Sequence, residues 1–527
     1  MRRFHSCGPI SNKLHYYAPR KELIDRLYTQ LMGENPSKNG HYMTVWAPRQ
    51  TGKTWGMQHV MFRLKKDPRF DVLKINLEHL KYEQEVGEII ESIAKEIGEG
   101  LNKTFKGIDN NYKFQEIFKK GMLDKPLILI LDEFDALLEE GINTIVGAFR
   151  NIYISRTDEI EKTTEEKTYL LHGVALIGVR SALGIENHKG APFNIQRSIH
   201  IPNLTFAEVE EMFKWYEKES GQKVEEAVVR ELYEETRGQP GLTCWFGELL
   251  TETYNHDAKK PITMYNFEEA YGAATHILPN NNILNIISRV NKPPYDEAVI
   301  EIFETNDKIA FNFDDKDINY LYMNGVIDEE KIGHKEYYVK FSCPFVQKRI
   351  FNYFSRQFFS HLGQLIHPLD AMKDAINEES LHIPDIIKRY QAYLKKNHET
   401  FFKDVPRRKT DLKIYEAIYH FNIYRYLYDL LRARGVEVVP QFPTGNGKVD
   451  LILKYREKIH ALELKSFKDM YTFEKSIDQA AEYGRQLGLK EIFLLVFVEL
   501  SEDEAKQLEK EIEKPGIKVV VLSIGIL

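Results

Sequence analysis

Two stretches of the chain set chemically active side chains at spacings that chemistry requires. In the first, Ala47-Pro48-Arg49-Gln50-Thr51-Gly52-Lys53-Thr54 follows an apolar run, Tyr42 to Trp46, and leads into a helical pattern from Trp55. This is the P-loop spacing, with Ala47 where glycine is usual. Such a loop turns its backbone N–H groups, and those of the helix N-terminus after it, toward phosphate oxygens. Gly52 permits the tight backbone, Lys53 would neutralise the β- and γ-phosphates of ATP, and the Thr54 hydroxyl would ligate Mg2+. Alanine at position 47 costs little where its φ is negative. A second apolar run, Leu127 to Leu131, ends in Asp132-Glu133. Asp132 would hold Mg2+ through water and Glu133 would polarise the attacking water. Taken alone, the pair suits a helix N-cap with a first-turn acid. With the loop upstream, nucleotide handling is the better account.

The second stretch reads Gly445-Asn446-Gly447-Lys448-Val449-Asp450-Leu451-Ile452-Leu453, a polar turn from Tyr455 to Lys458, then Ile459-His460-Ala461-Leu462-Glu463-Leu464-Lys465. It has the pattern of a hairpin. Strand alternation puts Glu463 and Lys465 on one face, with Leu462 and Leu464 on the other. Asp450 opens the neighbouring strand and can approach Glu463 across the short turn. Two converging carboxylates repel unless a cation lies between them, and hard oxygen ligands select Mg2+ or Mn2+. Such an ion activates water for attack on phosphorus, and Lys465 can position that water or neutralise developing charge. A solvated edge strand would also carry Glu-x-Lys, but this strand is otherwise apolar.

Elements must hold these groups in place. Strands are expected at 42–46, 72–77, 127–131, 174–179 and 199–201, with helical patterns between them. Apolar runs separated by helices imply a parallel sheet covered on both faces. From Thr205 to about Asn255 the pattern is purely helical. Residues 280–354 mix short helices with strand-like runs near Val326 and at 337–341, which fits a winged-helix-like module. Residues 362–404 read as a Lys-rich helix, and a last α/β pattern runs from Asp411, after Pro406-Arg407-Arg408. The expected class is α/β. The expected division is a P-loop core at 1–204, a helical lid at 205–275, a winged-helix-like module at 276–360, a helical linker at 361–408 and a metal-dependent domain at 409–527.

With Asp132-Glu133-Phe134-Asp135 added to the loop, the region from about Arg20 to Asn255 resembles AAA+ and STAND-type ATPases. The resemblance implies a sensor strand at 174–179 whose polar tail, Arg180 or Ser181, sits near the γ-phosphate. It also implies an arginine finger before the last strand. Arg197 is in position, and reads equally as a solvated surface charge. A finger acting in trans implies a homo-oligomer. Gly238-Gln239-Pro240 is similar to the Gly-x-Pro turn of STAND and archaeal origin-binding ATPases. The usual lid arginine is not evident, although Arg237 is adjacent.

The region from about Asp411 to Phe497 resembles the PD-(D/E)XK nucleases. Glu416 lies near the start of a helical pattern that matches the family's first helix, whose acid often reaches the metal. Gln479 and Tyr483, on the helix after the hairpin, resemble the Gln-x-x-x-Tyr motif of RecB-like members, and their i, i+4 spacing shares a face. Tyr483 as an ordinary core aromatic is the plainer account of that pair. The resemblance implies metal ligation by Glu416, Asp450 and Glu463, with Lys465 assisting hydrolysis, and a strand at 491–498 after the helix.

The composition admits this. The 527 residues carry a net charge of -7 and are 43% hydrophobic. A net negative chain does not advertise a nucleic-acid binder, yet a local basic patch suffices. Lys388-Arg389, Lys395-Lys396, Lys403 and Arg407-Arg408-Lys409 interleave with Tyr390, Tyr393, Phe401 and Phe402. A solvated helix with core-facing aromatics is the favoured account of them over a stacking track. No run has the length of a bilayer span, and Met1 to Tyr17 lacks a signal peptide's apolar stretch, so the cytoplasm is expected. Three scattered cysteines (Cys7, Cys244, Cys343) indicate neither zinc nor disulfides. His15, His172, His398 and His420 have no metal spacing and are expected to be structural or surface residues. The functional expectation is an ATP-binding, Mg2+-dependent nuclease acting on DNA, its ATPase module regulating the cut. By family analogy it serves defence or mobile-element biology. The alternative is an ATP-dependent switch carrying a non-cutting DNA-binding module. A translocating motor ranks below both, since no helicase motif beyond the nucleotide-binding pair is present.

Overall fold

The computed structural model describes residues 1–6, 8, 10–178, 197–304, 309–360, 365, 372–440 and 450–526. Contacts divide the chain into two units, Met1–Ile286 with Asn312–Ile327, and Ile287–Phe311 with Asp328–Leu527.

The first unit is built on five parallel strands, β1 (Tyr42–Trp46), β2 (Asp71–Asn76), β3 (Leu127–Asp132), β4 (Leu171–Gly178) and β5 (Arg197–His200), in the order β2-β3-β4-β1-β5. β3 shows why an unbroken apolar run is needed. Leu127, Leu129 and Leu131 enter one core beneath helices Val86–Gly100 and Glu139–Asp158, while Ile128 and Ile130 enter another beneath helices Lys21–Met32 and Lys53–Leu64. Each fully buried aliphatic side chain contributes roughly 1.5–3 kcal/mol over exposure. Parallel pairing brings the carboxyl ends of the strands to one edge, where ligands of open α/β sheets collect. The loop after β1 and Asp132 at the end of β3 therefore lie on the same edge, with β4 between. This is the expected α/β P-loop sheet. Only β1 matches its expected limits at both ends: β2 lies one residue earlier, β3 runs on to Asp132, β4 starts at Leu171 with Val179 lying outside the described residues, and β5 spans Arg197–His200.

A helical lid follows the sheet. Helix Phe206–Ser220 opens with a Thr205–Glu208 capping box, then come Glu226–Thr236 and Pro240–Glu248, the last with proline in its first turn. Phe4 packs on this lid. A Cβ at Gly247 would fall 2.4 Å from the Phe4 ring, so only glycine admits the aromatic there.

Helices Asn281–Val290, Tyr295–Glu304 and Lys316–Met323 precede a hairpin of β6 (Ile327–Ile332) and β7 (Glu336–Phe341), the element order expected of a winged-helix-like stretch. The residues of this stretch are shared between the two units. Residues 372–382, expected as helix, are not helical: Asn377 Oδ1 accepts from the N–H groups of Glu379 and Ser380, a local turn that competes with helix. The helix spans Ile383–Phe401, and Tyr390, Tyr393, Phe401 and Phe402 are all buried, as the solvated-helix account requires.

The second unit contains a separate six-stranded mixed sheet: β8 (Val436–Pro440), β9 (Leu451–Tyr455), β10 (Lys458–Ser466), β11 (Glu491–Val498), β12 (Lys510–Lys514) and β13 (Ile517–Gly525), in the order β12-β13-β11-β10-β9-β8. β10, β11 and β13 are parallel, and the other neighbours pair antiparallel. Helix Glu416–Leu431 contacts β8 and β10, and helix Met470–Gln486 packs on β10, β11 and β13. Ala461 joins the core under Met470–Gln486, whereas Leu462 and Leu464 are buried on the opposite face.

One buried cation in the first unit is structural. Lys167, fully buried, donates from Nζ to the carbonyl oxygens of Arg156 (2.6 Å) and Glu159 (2.8 Å). These lie where helix Glu139–Asp158 ends, the negative pole of its dipole. Lys167→Met should lower unfolding free energy by about 1–3 kcal/mol, the cost of orphaning buried acceptors. Denaturant titration measures it, and an unchanged midpoint would refute the role.

Candidate functional site

In the first unit, the loop after β1 closes onto helix Lys53–Leu64. Gly52 takes φ 87°, and a Cβ there would meet nothing within 4 Å, so the loop's concave side is open. No side chain caps the helix N-terminus, leaving its first N–H groups for an anion. Lys53 Nζ donates to the carbonyl oxygens of Ala47 and Pro48, each at 2.8 Å. Burial pushes its pKa down to about 8, against the pull of Asp135, Glu133 and Asp132. Thr54 Oγ1 lies 3.3 Å from Asp132 Oδ1, so the two expected magnesium residues face each other across β4. Glu133 follows with a left-handed φ of 54°, a conformation that is costly outside glycine and clusters at functional sites. Burial first, and Asp135 next, raise its carboxyl pKa, while Lys53 lowers it. At the end of β4, a Cβ on Gly178 would fall 2.5 Å from Asp135 Oδ1, so glycine is what lets Asp135 approach the strand.

The lid touches this loop directly. Gln239 Nε2 donates to Arg49 O at 3.1 Å, and the Gly241 N–H donates to Gln50 O at 3.0 Å. A cleft of about 430 Å³ is lined by the loop, by Glu133 after β3, by Pro240, Gly241 and Cys244 of the lid, and by His5, Ser6 and Asn282. The amino-terminal segment was not expected at the site. Its polar residues carry no motif, and only folding brings them there. Arg237 is turned away, paired with Glu234. Arg197 Nη2 is 2.9 Å from Glu34 and Nη1 donates to Gln30, at the amino end of β5 where it pairs in register with Met43. Arg180 and Ser181 lie outside the described residues.

In the second unit, three elements deliver four residues to one cluster. Glu416 is the first residue of its helix, Asp450 precedes β9, and Glu463 and Lys465 share a face of β10. Lys465 Nζ lies 2.9 Å from Glu463 Oε1 and 3.7 Å from Glu416 Oε1. Glu416 Oε2 accepts from the Ser466 N–H at 2.6 Å, and Asp450 Oδ2 from the Leu464 N–H at 2.7 Å. Glu463 is 1% exposed, and its Oε2 has no hydrogen-bond partner. Burial, then Asp450, push the Glu463 pKa well above the usual carboxylate range, with Lys465 opposing. For Lys465, burial works against the charge, but Glu463, Glu416 and Asp450 outweigh it and raise the ammonium pKa well above its usual value. The oxygens and the orphaned Glu463 Oε2 suit a hard divalent ion. Among the described residues no group of three His, Cys, Asp or Glu stands preassembled as a metal cage. Glu416 and Asp450 are each held by a β10 N–H, and Lys465 occupies the Oε1 side of Glu463.

Gln479 donates to the Tyr483 hydroxyl on the shared helix face, and Tyr483 feels Glu463, Lys465 and Asp450 electrostatically. His420, expected as a structural or surface residue, has its Nε2 3.7 Å from Asp450 Oδ2. His172 is buried and bonded to Thr164 and Met32 O, a structural residue as expected.

No protein-family model matches the chain, and no curated protein matches it. Among solved structures, the ORC1 protein of Aeropyrum pernix in complex with DNA is similar at TM-score 0.35 and 14% identity, over 66% of this chain and 93% of that one. The Walker-type ATPase of Pyrococcus abyssi is similar at TM-score 0.38 and 16% identity, over 66% and 99%. Cdc6p from Pyrobaculum aerophilum is similar at TM-score 0.36 and 14% identity, over 63% and 92%.

Lys465 holds three acids together. Lys465→Met should cost about 3–5 kcal/mol, the usual loss when one partner of a buried pair is removed. Adding Glu463→Gln should recover much of it, because the stranded charge is gone. Equal stability losses in the single and double variants, measured by thermal unfolding, would contradict this account.

Proposed function

We propose that the chain is an ATP-hydrolysing, Mg2+-dependent nuclease that cleaves phosphodiester bonds in DNA, with the P-loop unit regulating the cut. The observation that carries the reading is the meeting of Glu416, Asp450, Glu463 and Lys465 from a helix, a strand entry and one strand face. Helix Glu416–Leu431, the β9–β10 hairpin, helix Met470–Gln486 and parallel β11 follow one another in the order that the PD-(D/E)XK resemblance implies.

Bound at the acids, Mg2+ or Mn2+ would activate water and stabilise charge on the phosphate. Glu416, Asp450 and Glu463 are its proposed ligands. Lys465 orients the water and, once withdrawn from Glu463, can meet developing negative charge. Gln479 and Tyr483 flank the cluster and orient the substrate backbone. On the nucleotide side, Ala47, Gly52 and Lys53 cradle the phosphates, Thr54 and Asp132 hold Mg2+, and Glu133 orients the attacking water. Arg197 is at the strand end opposite its own loop, so as a finger it would serve another copy's nucleotide in a homo-oligomer. Among the described residues no helix is long and apolar enough to cross a membrane. The working division is core 1–204, lid 205–275, winged-helix-like module 276–360, linker 361–408 and nuclease domain 409–527.

Plasmid incubated with Mn2+ and the wild-type protein, with and without ATP, should be cut. Lys465→Ala should cut at least about a hundredfold more slowly, the scale of losing one charge-stabilising group, while hydrolysing ATP normally. Glu133→Gln should slow ATP turnover and leave cutting in the absence of ATP unchanged. Identical DNA from wild type and Lys465→Ala would favour the non-cutting DNA-binding alternative.

A further inference from the structure

Asp132 is 1% exposed at the end of β3. Its two oxygens have different surroundings. Oδ1 faces the Thr54 hydroxyl at 3.3 Å and accepts from the Glu133 N–H at 3.2 Å. Oδ2 lies 2.6 Å from Nζ of Lys74, a residue of the adjacent strand β2 whose side chain is 19% exposed. The ammonium is close but off the hydrogen-bonding direction, since Oδ2 has no hydrogen-bond partner among the described atoms. Lys74 thus compensates the carboxylate by charge without an aligned bond. A buried carboxylate needs one cation, and a second cation beside it is repelled.

We propose that Lys74 is the resident counter-ion of Asp132 and competes with Mg2+ for it, setting the Mg2+ concentration at which the P-loop takes metal–nucleotide. This rests on the ATP-binding reading above. Lys74 is a positioning residue: its ammonium faces Asp132 Oδ2 and it acts through that carboxylate. Filling the site requires its ammonium to leave Oδ2 toward the partly open side of β2, which makes the lysine's departure a step coupled to loading.

The test is binding of a fluorescent ADP analogue to the full chain, titrated with Mg2+. Binding in EDTA serves as the folding control, because the loop's N–H groups and Lys53 act without metal. In Lys74→Met, the Mg2+ concentration for half-maximal enhancement should fall about tenfold, the equivalent of roughly 1.4 kcal/mol. Lys74→Arg, which keeps the charge, should stay near wild type. An unchanged or higher Mg2+ requirement in Lys74→Met, or a fall in Lys74→Arg as large as that in Lys74→Met, overturns the proposal. A wild type that binds no nucleotide at all would instead sink the ATP reading.

Discussion

A carboxylate taken out of water must meet a cation, and the two candidate sites of this chain are arranged around that requirement. Asp132 and Glu463 are each 1% exposed, and each has a lysine ammonium within 3 Å, Lys74 at 2.6 Å and Lys465 at 2.9 Å. An unpaired charge so deeply buried would cost several kcal/mol. Each lysine reaches its acid along a strand, Lys74 from the neighbour of β3 and Lys465 from two positions along β10 itself. Strand pairing brings Lys74 to Asp132, and alternation along one strand brings Lys465 to Glu463.

The rest of each site follows from backbone placement. In the parallel sheet, β4 separates the loop strand from the Asp132 strand, so β4 must end in a residue that leaves room. Gly178 does so, with Asp135 filling the space a side chain would occupy. The lid meets the loop through main-chain oxygens, Arg49 O and Gln50 O. Contacts to carbonyls follow the shape of the loop and not its side chains, so a change in loop conformation is felt in the lid turn at Gln239 and Gly241. In the mixed sheet, Asp450 and Glu416 are each tied to a β10 N–H, at Leu464 and Ser466. These two bonds fix the acids on either side of Lys465, so geometry is set before any metal or substrate arrives.

The two sites nevertheless treat their lysines differently. Lys465 is flanked by acids from three elements and is buried with them, which keeps it charged. Lys74 faces one acid and remains partly exposed. The first is a charge the cluster is built around. The second pairs with a single carboxylate at the end of the neighbouring strand. Charged and aromatic residues elsewhere have plainer roles: the aromatics of helix Ile383–Phe401 fill the core, and Lys167 closes a helix end.

Local order along the chain carried the parts that depend on local order. The Ala47–Thr54 spacing, the apolar run ending in Asp132-Glu133, the alternation of Glu463 with Lys465 and the Gln479–Tyr483 spacing are all short-range patterns, and each reads directly as loop, strand face or helix face. The α/β class and the strands of the first sheet follow from the same periodicities. Strands β8, β12 and β13 were not individually legible, and residues 372–382 escaped a helical composition through a side-chain turn at Asn377. Lys74 on Asp132, His420 beside Asp450 and the amino-terminal segment at the cleft were decided by tertiary structure alone. Those partners lie far apart in the chain or in different elements. Their meeting depends on which strands become neighbours and in what register, a choice made by the summed packing of both sheet faces and not by any one residue's type.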